Sequence, residues 1–221
     1  MDPSGVKEKK LISSSEKQFP GGSKNKVTNA GNRFRNNTQT EEDIEIFEEW
    51  RSSFRSVLNT FQAILRTRIK DKNISFAQRH KRKKTILNKL ERFPEMQLAR
   101  MDDIAGCRMI FSTVEELYIF RNNLHKARFG HVLKNELDKY DYIKNPKETG
   151  YRGIHDIYEY NVNSEQGRHL KGLNIEIQYR TLVQHSWATA VELIGFITES
   201  QPKFQQGDKR YETAMAYASE I

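Results

Sequence analysis

Ile44, Phe47, Trp50, Phe54, Leu58, Phe61 and Leu65 recur at three- and four-residue steps, the spacing that gathers side chains on one face of a helix. The pattern predicts one long helix over about 41–70. Thr40 precedes it as a cap, Asp43 takes the third helical position, and Glu41 and Glu42 suit the positive end of the helix dipole. A short strand at 74–77 leads into the basic run Arg79-His80-Lys81-Arg82-Lys83-Lys84, and a helix is expected from Thr85 to before Pro94. A strand near Ile104–Phe111 follows. Ser112 is the expected cap of the next helix, with Glu115 completing a capping box and Leu117, Phe120 and Leu124 on one face.

Two segments alternate with period two. Ile154, Tyr158, Tyr160 and Val162 alternate with His155, Glu159 and Asn161. Leu173, Ile175, Ile177 and Tyr179 alternate with Asn174, Glu176, Gln178 and Arg180. A helix from about Leu182 carries His185, Trp187, Ala188, Val191 and Ile194. Helices and strands mix without a regular βαβ repeat, so the expected class is α+β.

Residues 1–40 break the pattern. Eight Lys/Arg face three acids there, a net of +5 out of the chain's +8, and apolar residues are few. Such a segment cannot bury enough surface to offset its ordering entropy. The expected division is a basic, flexible tail over 1–40 and one folded domain over 41–221. The tail reads either as solvated chain or as an arm that touches nucleic acid or nucleotide phosphates. At the other end, Tyr211, Ala214, Met215, Ala218 and Ile221 fall at helical steps up to the last residue. The expectation is either the catalytic part of a longer chain or a chain whose C-terminal partner is a separate protein.

The 221 residues are 36% hydrophobic and 30% charged. No apolar run approaches the roughly 20 residues that span a bilayer, and the first residues lack the apolar core of a secretory signal. One cysteine, Cys107, excludes an internal disulfide framework and a cysteine-rich zinc cluster. Together these place the expected protein in the cytoplasm, away from membranes. The net charge of +8 favours an anionic partner, either nucleotide or nucleic acid.

Four stretches could carry chemistry. Asn174, Glu176, Gln178 and Arg180 stand in a row on one strand face, which is either an ordinary wet face or the floor of a site for metal and anion. Asp102-Asp103-Ile104-Ala105-Gly106-Cys107-Arg108 puts an acid at a strand start and an arginine among apolar residues, where it needs a protein or ligand partner. Simple alternation sets Asp103 and Arg108 on opposite faces unless a bulge at Gly106 resets it. Arg79, Lys81, Thr85 and Lys89 are spaced as a phosphate cradle at a strand-to-helix turn, though no P-loop is present. Gly150-Tyr151-Arg152-Gly153-Ile154-His155 offers an aromatic beside a glycine that can stack on a base. Cys107 reads as a core residue.

In this order the pieces resemble the synthetase domain of the RelA/SpoT alarmone family. The matching blocks are Arg79-x-Lys81-x-x-x-Thr85-x-x-x-Lys89, Asp103-Ile-Ala-Gly-x-Arg108, Asp141-Tyr-Ile-x-x-Pro146-Lys147-x-x-Gly150-Tyr151-Arg152-Gly-Ile-His155, and Glu176-Ile-Gln178-x-Arg180-Thr181 with His185-x-Trp187-Ala188. The resemblance implies a nucleotidyltransferase-like mixed sheet flanked by helices. It implies transfer of the β,γ-diphosphate of ATP to a ribose 3′-hydroxyl, with Mg2+. By position, Arg79 and Arg108 would sandwich the adenine, and Lys81, Thr85, Lys89 and Arg92 would hold the phosphates. Asp103 and Glu176 would bind magnesium, with Glu176 also the base. Tyr151 would stack on the acceptor base, helped by Lys147, His155 and Gln178.

Thr85 stands where the family commonly has Ser, and Gly153 where many members have Ser. After Trp187-Ala188 the usual histidine and Tyr-Lys pair are replaced by Thr189-Ala190-Val191-Glu192. No His-Asp hydrolase segment precedes the long helix in this sequence, so alarmone hydrolysis is not expected. The variation is similar to that of the toxic small synthetases of toxin–antitoxin and phage-defence systems, among which the fused CapRel type carries a C-terminal regulatory domain. This leaves two acceptors open: a guanine nucleotide, or the 3′-CCA end of tRNA. The matching partner expectation is an antitoxin protein or a fused C-terminal regulatory domain. The competing class is a catalytically silent nucleotide- or RNA-binding module. The carboxylates Asp103 and Glu176 argue against it, because acids near phosphate weaken simple binding.

Overall fold

The computed structural model describes residues 19–198, 205 and 207–220. The long helix, α2 (Glu41–Ile69), is capped as expected: Thr40 accepts from the Asp43 amide, and the Asp43 carboxylate accepts from the Thr40 amide. Phe47, Trp50, Phe54, Val57, Phe61 and Leu65 are fully buried along it.

Ahead of it lies a helix that the sequence reading had placed inside the tail, α1 (Lys24–Arg35), capped by Ser23. Its apolar stripe is only Val27, Ala30 and Phe34, too thin to stand out in a polar segment. Phe34 meets Phe47 edge-on at 5.3 Å. Arg33 makes a two-pronged pair with Asp43, with Nη2 to Oδ1 at 2.5 Å. The folded part therefore reaches back past residue 40. Residues 1–18 of the expected tail lie outside the described residues.

Five strands form one sheet: β1 (Ser75–His80), β2 (Ala105–Phe111), β3 (Val132–Leu133), β4 (Ile154–Glu159) and β5 (Asn174–Thr181). The order is β1-β2-β5-β4-β3. β2 and β5 run parallel and the other neighbours antiparallel. The sheet is thus mixed and the class α+β, as expected.

Ala105, Cys107, Met109 and Phe111 of β2 and Ile175, Ile177 and Tyr179 of β5 point to the core. There they meet α2 and α4 (Val114–Lys126), with Phe111 packed on Phe120 at 5.5 Å. The cap of α4 is Thr113, which accepts from the Glu116 amide, one residue beyond the expected Ser112 and Glu115. Either Ser-x-x-Glu or Thr-x-x-Glu fits the pattern; the strand end at Phe111 selects the second.

Three further helices frame the other face: α3 (Lys83–Arg92), α5 (Leu182–Ile197) and α6 (Lys209–Ala218). α3 starts two residues before the expected Thr85. α5 carries a capping box from Thr181 to Gln184. α6 has no buried residue, and Tyr211 is exposed, so the expected apolar face is not what docks it. It is held instead through backbone carbonyls: Trp187 Nε1 donates to Met215 O at 2.7 Å and Arg152 Nε to Ser219 O at 2.9 Å. Ile221 lies outside the described residues. Among those described, no helix is long and apolar enough to cross a membrane.

Candidate active site

Strand order sets the layout of the site. The sheet face away from α2 and α4 carries the polar alternates: Arg79 on β1, Gly106 and Arg108 on β2, Glu176, Gln178 and Arg180 on β5, and His155 on β4. Along one row, Arg108 pairs in register with Gln178, and Gln178 with His155. A cavity of about 540 Å3 lies over this face. All twelve residues singled out by sequence line it: Arg79, Lys81, Thr85, Lys89, Arg92, Asp103, Arg108, Lys147, Tyr151, His155, Glu176 and Gln178.

Asp103 precedes β2 rather than belonging to it, and β2 pairs with β5 without interruption from Ala105 to Phe111. No bulge at Gly106 is needed. Alternation does not govern a residue outside the strand, so Asp103 and Arg108 both reach the cavity.

At the β1 side, Lys81 Nζ donates to Asp103 Oδ2 at 2.5 Å and Lys89 Nζ to Oδ1 at 3.0 Å. Burial pushes the Asp103 carboxyl up, but the two ammonium groups outweigh it and hold it below the usual range. Burial also pulls Lys81 down, against the opposing pull of Asp103. Thr85 is the third residue of α3, whose first turn no side chain caps. Backbone N–H groups at such a turn favour an anion.

At the β4 side, Glu176 Oε1 lies 2.7 Å from His155 Nδ1, and Gln178 Nε2 donates to Glu176 Oε2 at 2.5 Å. Burial pushes the Glu176 carboxyl up; His155 and Gln178 together overcome this and hold it at about 2. The Tyr151 hydroxyl is 2.6 Å from His155 Nε2 and accepts from Arg180 Nε at 3.1 Å. Lys147 Nζ stands 4.3 Å from the centroid of Tyr142 and 5.6 Å from that of Tyr151. Tyr151 faces Trp187 across 6.4 Å.

Asp103 and Glu176 are hard oxygen donors in one cavity. Burial pushes the neighbouring Asp102 carboxyl up; Asn174 donates to it and opposes that, while the charges of Asp103 and Glu176 add to it. Among the described residues no cage of three or more metal-ligating side chains is formed. Magnesium is usually held by one or two carboxylates with substrate phosphates and water completing the shell, and this pair fits that use.

Glu192, Phe93 and Thr149 also line the cavity and were not expected there; Arg180, expected on the strand face but given no role, lines it too. Arg180 lay inside the recognised strand block and alternates with Gln178, which was the available signal. Cys107 is core as expected, with burial pushing its thiol up to about 12.

A family model described as a region found in RelA / SpoT proteins matches residues 78–194. GTP pyrophosphokinase YjbM of Bacillus subtilis (strain 168) is 35% identical over 107 residues, 48% of this chain and 48% of its own length. GTP pyrophosphokinase YwaC of the same organism is 32% identical over 112 residues, 51% of this chain and 50% of its own. The chain spans about half the length of these curated relatives. The crystal structure of small alarmone synthetase 1 from Bacillus subtilis superposes with a TM-score of 0.63 at 27% identity, over 79% of this chain and 88% of that one.

Proposed function

This chain belongs to the RelA/SpoT family, and we propose that it is an ATP-dependent pyrophosphokinase acting on a ribose 3′-hydroxyl. The observation that carries the reading is the order of groups across the cavity. In the strand order β1-β2-β5-β4, Arg79 and Lys81 at the end of β1, with Lys89 and Arg92 on α3, stand toward one side, His155 on β4 toward the other, and Asp103 before β2 and Glu176 on β5 fall between. Transfer of this kind needs charge neutralisation and in-line placement more than covalent catalysis.

In this reading Arg79 and Arg108 clasp the adenine. Lys81, Lys89, Arg92 and Thr85 hold the ATP phosphates, which replace Asp103 as partners of the two lysines. Asp103, so released, and Glu176 would hold Mg2+, which supplies further neutralisation of phosphate charge. The acceptor base stacks on Tyr151, with Lys147, His155 and Gln178 placing the acceptor. The 3′-oxygen bonds to the β-phosphorus as the bond from that phosphorus to the α-phosphate oxygen breaks, and AMP leaves. The hydroxyl proton passes to Glu176. A carboxylate held at about 2 is ionised at neutral pH but weakly basic. It accepts the proton late, once bond formation has acidified the hydroxyl.

The names of the relatives favour a guanine nucleotide as acceptor, giving (p)ppGpp. A second acceptor, the 3′-CCA end of tRNA, is favoured by the +8 charge and by the replaced residues after Ala188; this chain would then be a translation-inhibiting toxin with an antitoxin partner. Incubation with γ-labelled ATP and GDP, GTP or total tRNA distinguishes them by which species takes the label. Label on none of them, with nucleotide still bound, would make the chain a silent binding module.

A further inference from the structure

Arg180 is 7% exposed and lines the cavity, yet no described carboxylate pairs with it. A buried guanidinium is costly unless its charge and N–H groups are used. Its Nη2 donates to Gln178 Oε1 at 3.3 Å, an oxygen that Arg108 Nε also reaches at 3.3 Å. Its Nε donates to the Tyr151 hydroxyl, and its guanidinium carbon stands 5.0 Å from the Tyr151 centroid. The aromatic ring and phenol oxygen thus face the charge with which no described carboxylate forms an ion pair.

The backbone beneath is shaped to admit this pair. Gly153 has φ +149, and a Cβ there would stand 3.0 Å from the Tyr151 hydroxyl and 3.2 Å from Arg180 Cγ. Any side chain at 153 would press on both partners at once. From the ring the contacts continue without a gap. The Tyr151 hydroxyl meets His155 Nε2, and His155 Nδ1 meets Glu176 Oε1. With a proton on Nδ1 toward Glu176, Nε2 accepts from the phenol, and the phenol accepts from Arg180.

We infer that Arg180 is a positioning residue: it fixes the rotation and tilt of the Tyr151 ring and thereby sets the acceptor against Glu176. The inference rests on the acceptor role proposed for Tyr151. It assigns Arg180 no contact with substrate; its effect passes through the ring.

A double-mutant cycle tests this. Arg180→Met keeps the stem and removes the charge and donors. In the wild-type background it should raise KM for the labelled acceptor about tenfold, the order expected for a lost charge-assisted hydrogen bond, and leave KM for ATP within about twofold. In the Tyr151→Ala background the same change should cost less than about twofold. Arg180→Lys should recover part of the loss, and it replaces Arg180→Met if thermal melts show that variant unfolded. An equal cost in both backgrounds would mean that Arg180 touches substrate directly and would overturn the inference, as would a loss confined to ATP. If the wild-type chain transfers to no acceptor, the pyrophosphokinase reading fails. The same cycle read on GDP affinity by calorimetry then decides the inference: additivity, or no GDP binding by wild type, overturns it.

Discussion

The indole N–H of Trp187 donates to the main-chain oxygen of Met215 at 2.7 Å, so an aromatic of the cavity wall is also the anchor of α6. At the end of this helix the Ser219 amide turns to Ala216 and Tyr217. Helix ends leave carbonyls open to outside donors, and Arg152 Nε takes the carbonyl of the C-cap residue, Ser219. With no fully buried side chain, α6 is held by these two donors and by its close approach to Gly150, where a Cβ would stand 2.9 Å from Ala216 Cα.

Trp187→Phe should therefore loosen α6 while the ring still faces Tyr151. A net hydrogen bond is worth about 0.5–1.5 kcal/mol, which corresponds to a rise of roughly two- to tenfold in amide exchange across 209–218. Unchanged exchange there would show that the indole bond does not hold the helix.

Glu176→Gln should lower turnover by about 100-fold or more with the fold intact. The amide keeps the shape but neither accepts the proton nor serves as a good ligand for a hard cation. Single-turnover transfer from labelled ATP, beside a thermal melt, measures both. Near wild-type turnover would remove Glu176 from the mechanism.

Tyr151→Ala should weaken the acceptor by about 1–3 kcal/mol, the scale of one base stacked on an aromatic ring. ATP affinity should hold, because the cations assigned to ATP stand on or just after β1, on α3 and on β2, and none is on the 147–155 segment. Separate KM values for donor and acceptor read the difference. A matching loss for ATP would move the ring to the donor side.

The site was more legible than the frame around it. Eleven of the twelve candidate site residues belong to the blocks that carry the family resemblance, Arg92 standing three residues beyond the first, and the strand order brings the blocks to one face. Arg180 shows where this stops: alternation puts it beside Gln178, but only its burial against Tyr151 shows that it is no ordinary wet-face residue. α2 was legible because seven apolar residues repeat along it. α1 was not, because Val27, Ala30 and Phe34 are too few for periodicity to outweigh a polar composition. α6 was legible as a helix but not in its docking, since carbonyl oxygens leave no trace in a side-chain pattern. The cap of α4 slipped by one residue because Ser112 and Thr113 are chemically alike.

His131 gives a prediction about pH. Its ring is stacked between Phe61 at 4.5 Å and Tyr160 at 5.0 Å, and its Nδ1 accepts from the Asn161 amide at 3.1 Å. Burial lowers its pKa below 6.5. The unfolded chain then takes up a proton at higher pH than the folded one. The stability from His131 is complete above about pH 6.5 and is lost as pH falls from there toward the folded value. His80 and His185, also lowered by burial, act in the same direction. One such group contributes a slope of at most about 1.4 kcal/mol per pH unit. His131→Phe keeps the stack and removes the titration. It should cost stability at pH 7.5, because the Asn161 amide loses its acceptor, yet lose less than wild type between pH 7.5 and 5.5. Urea unfolding at the two pH values reads both effects. An equal drop in the variant and the wild type would leave the acid sensitivity to the other two histidines and remove His131 from it.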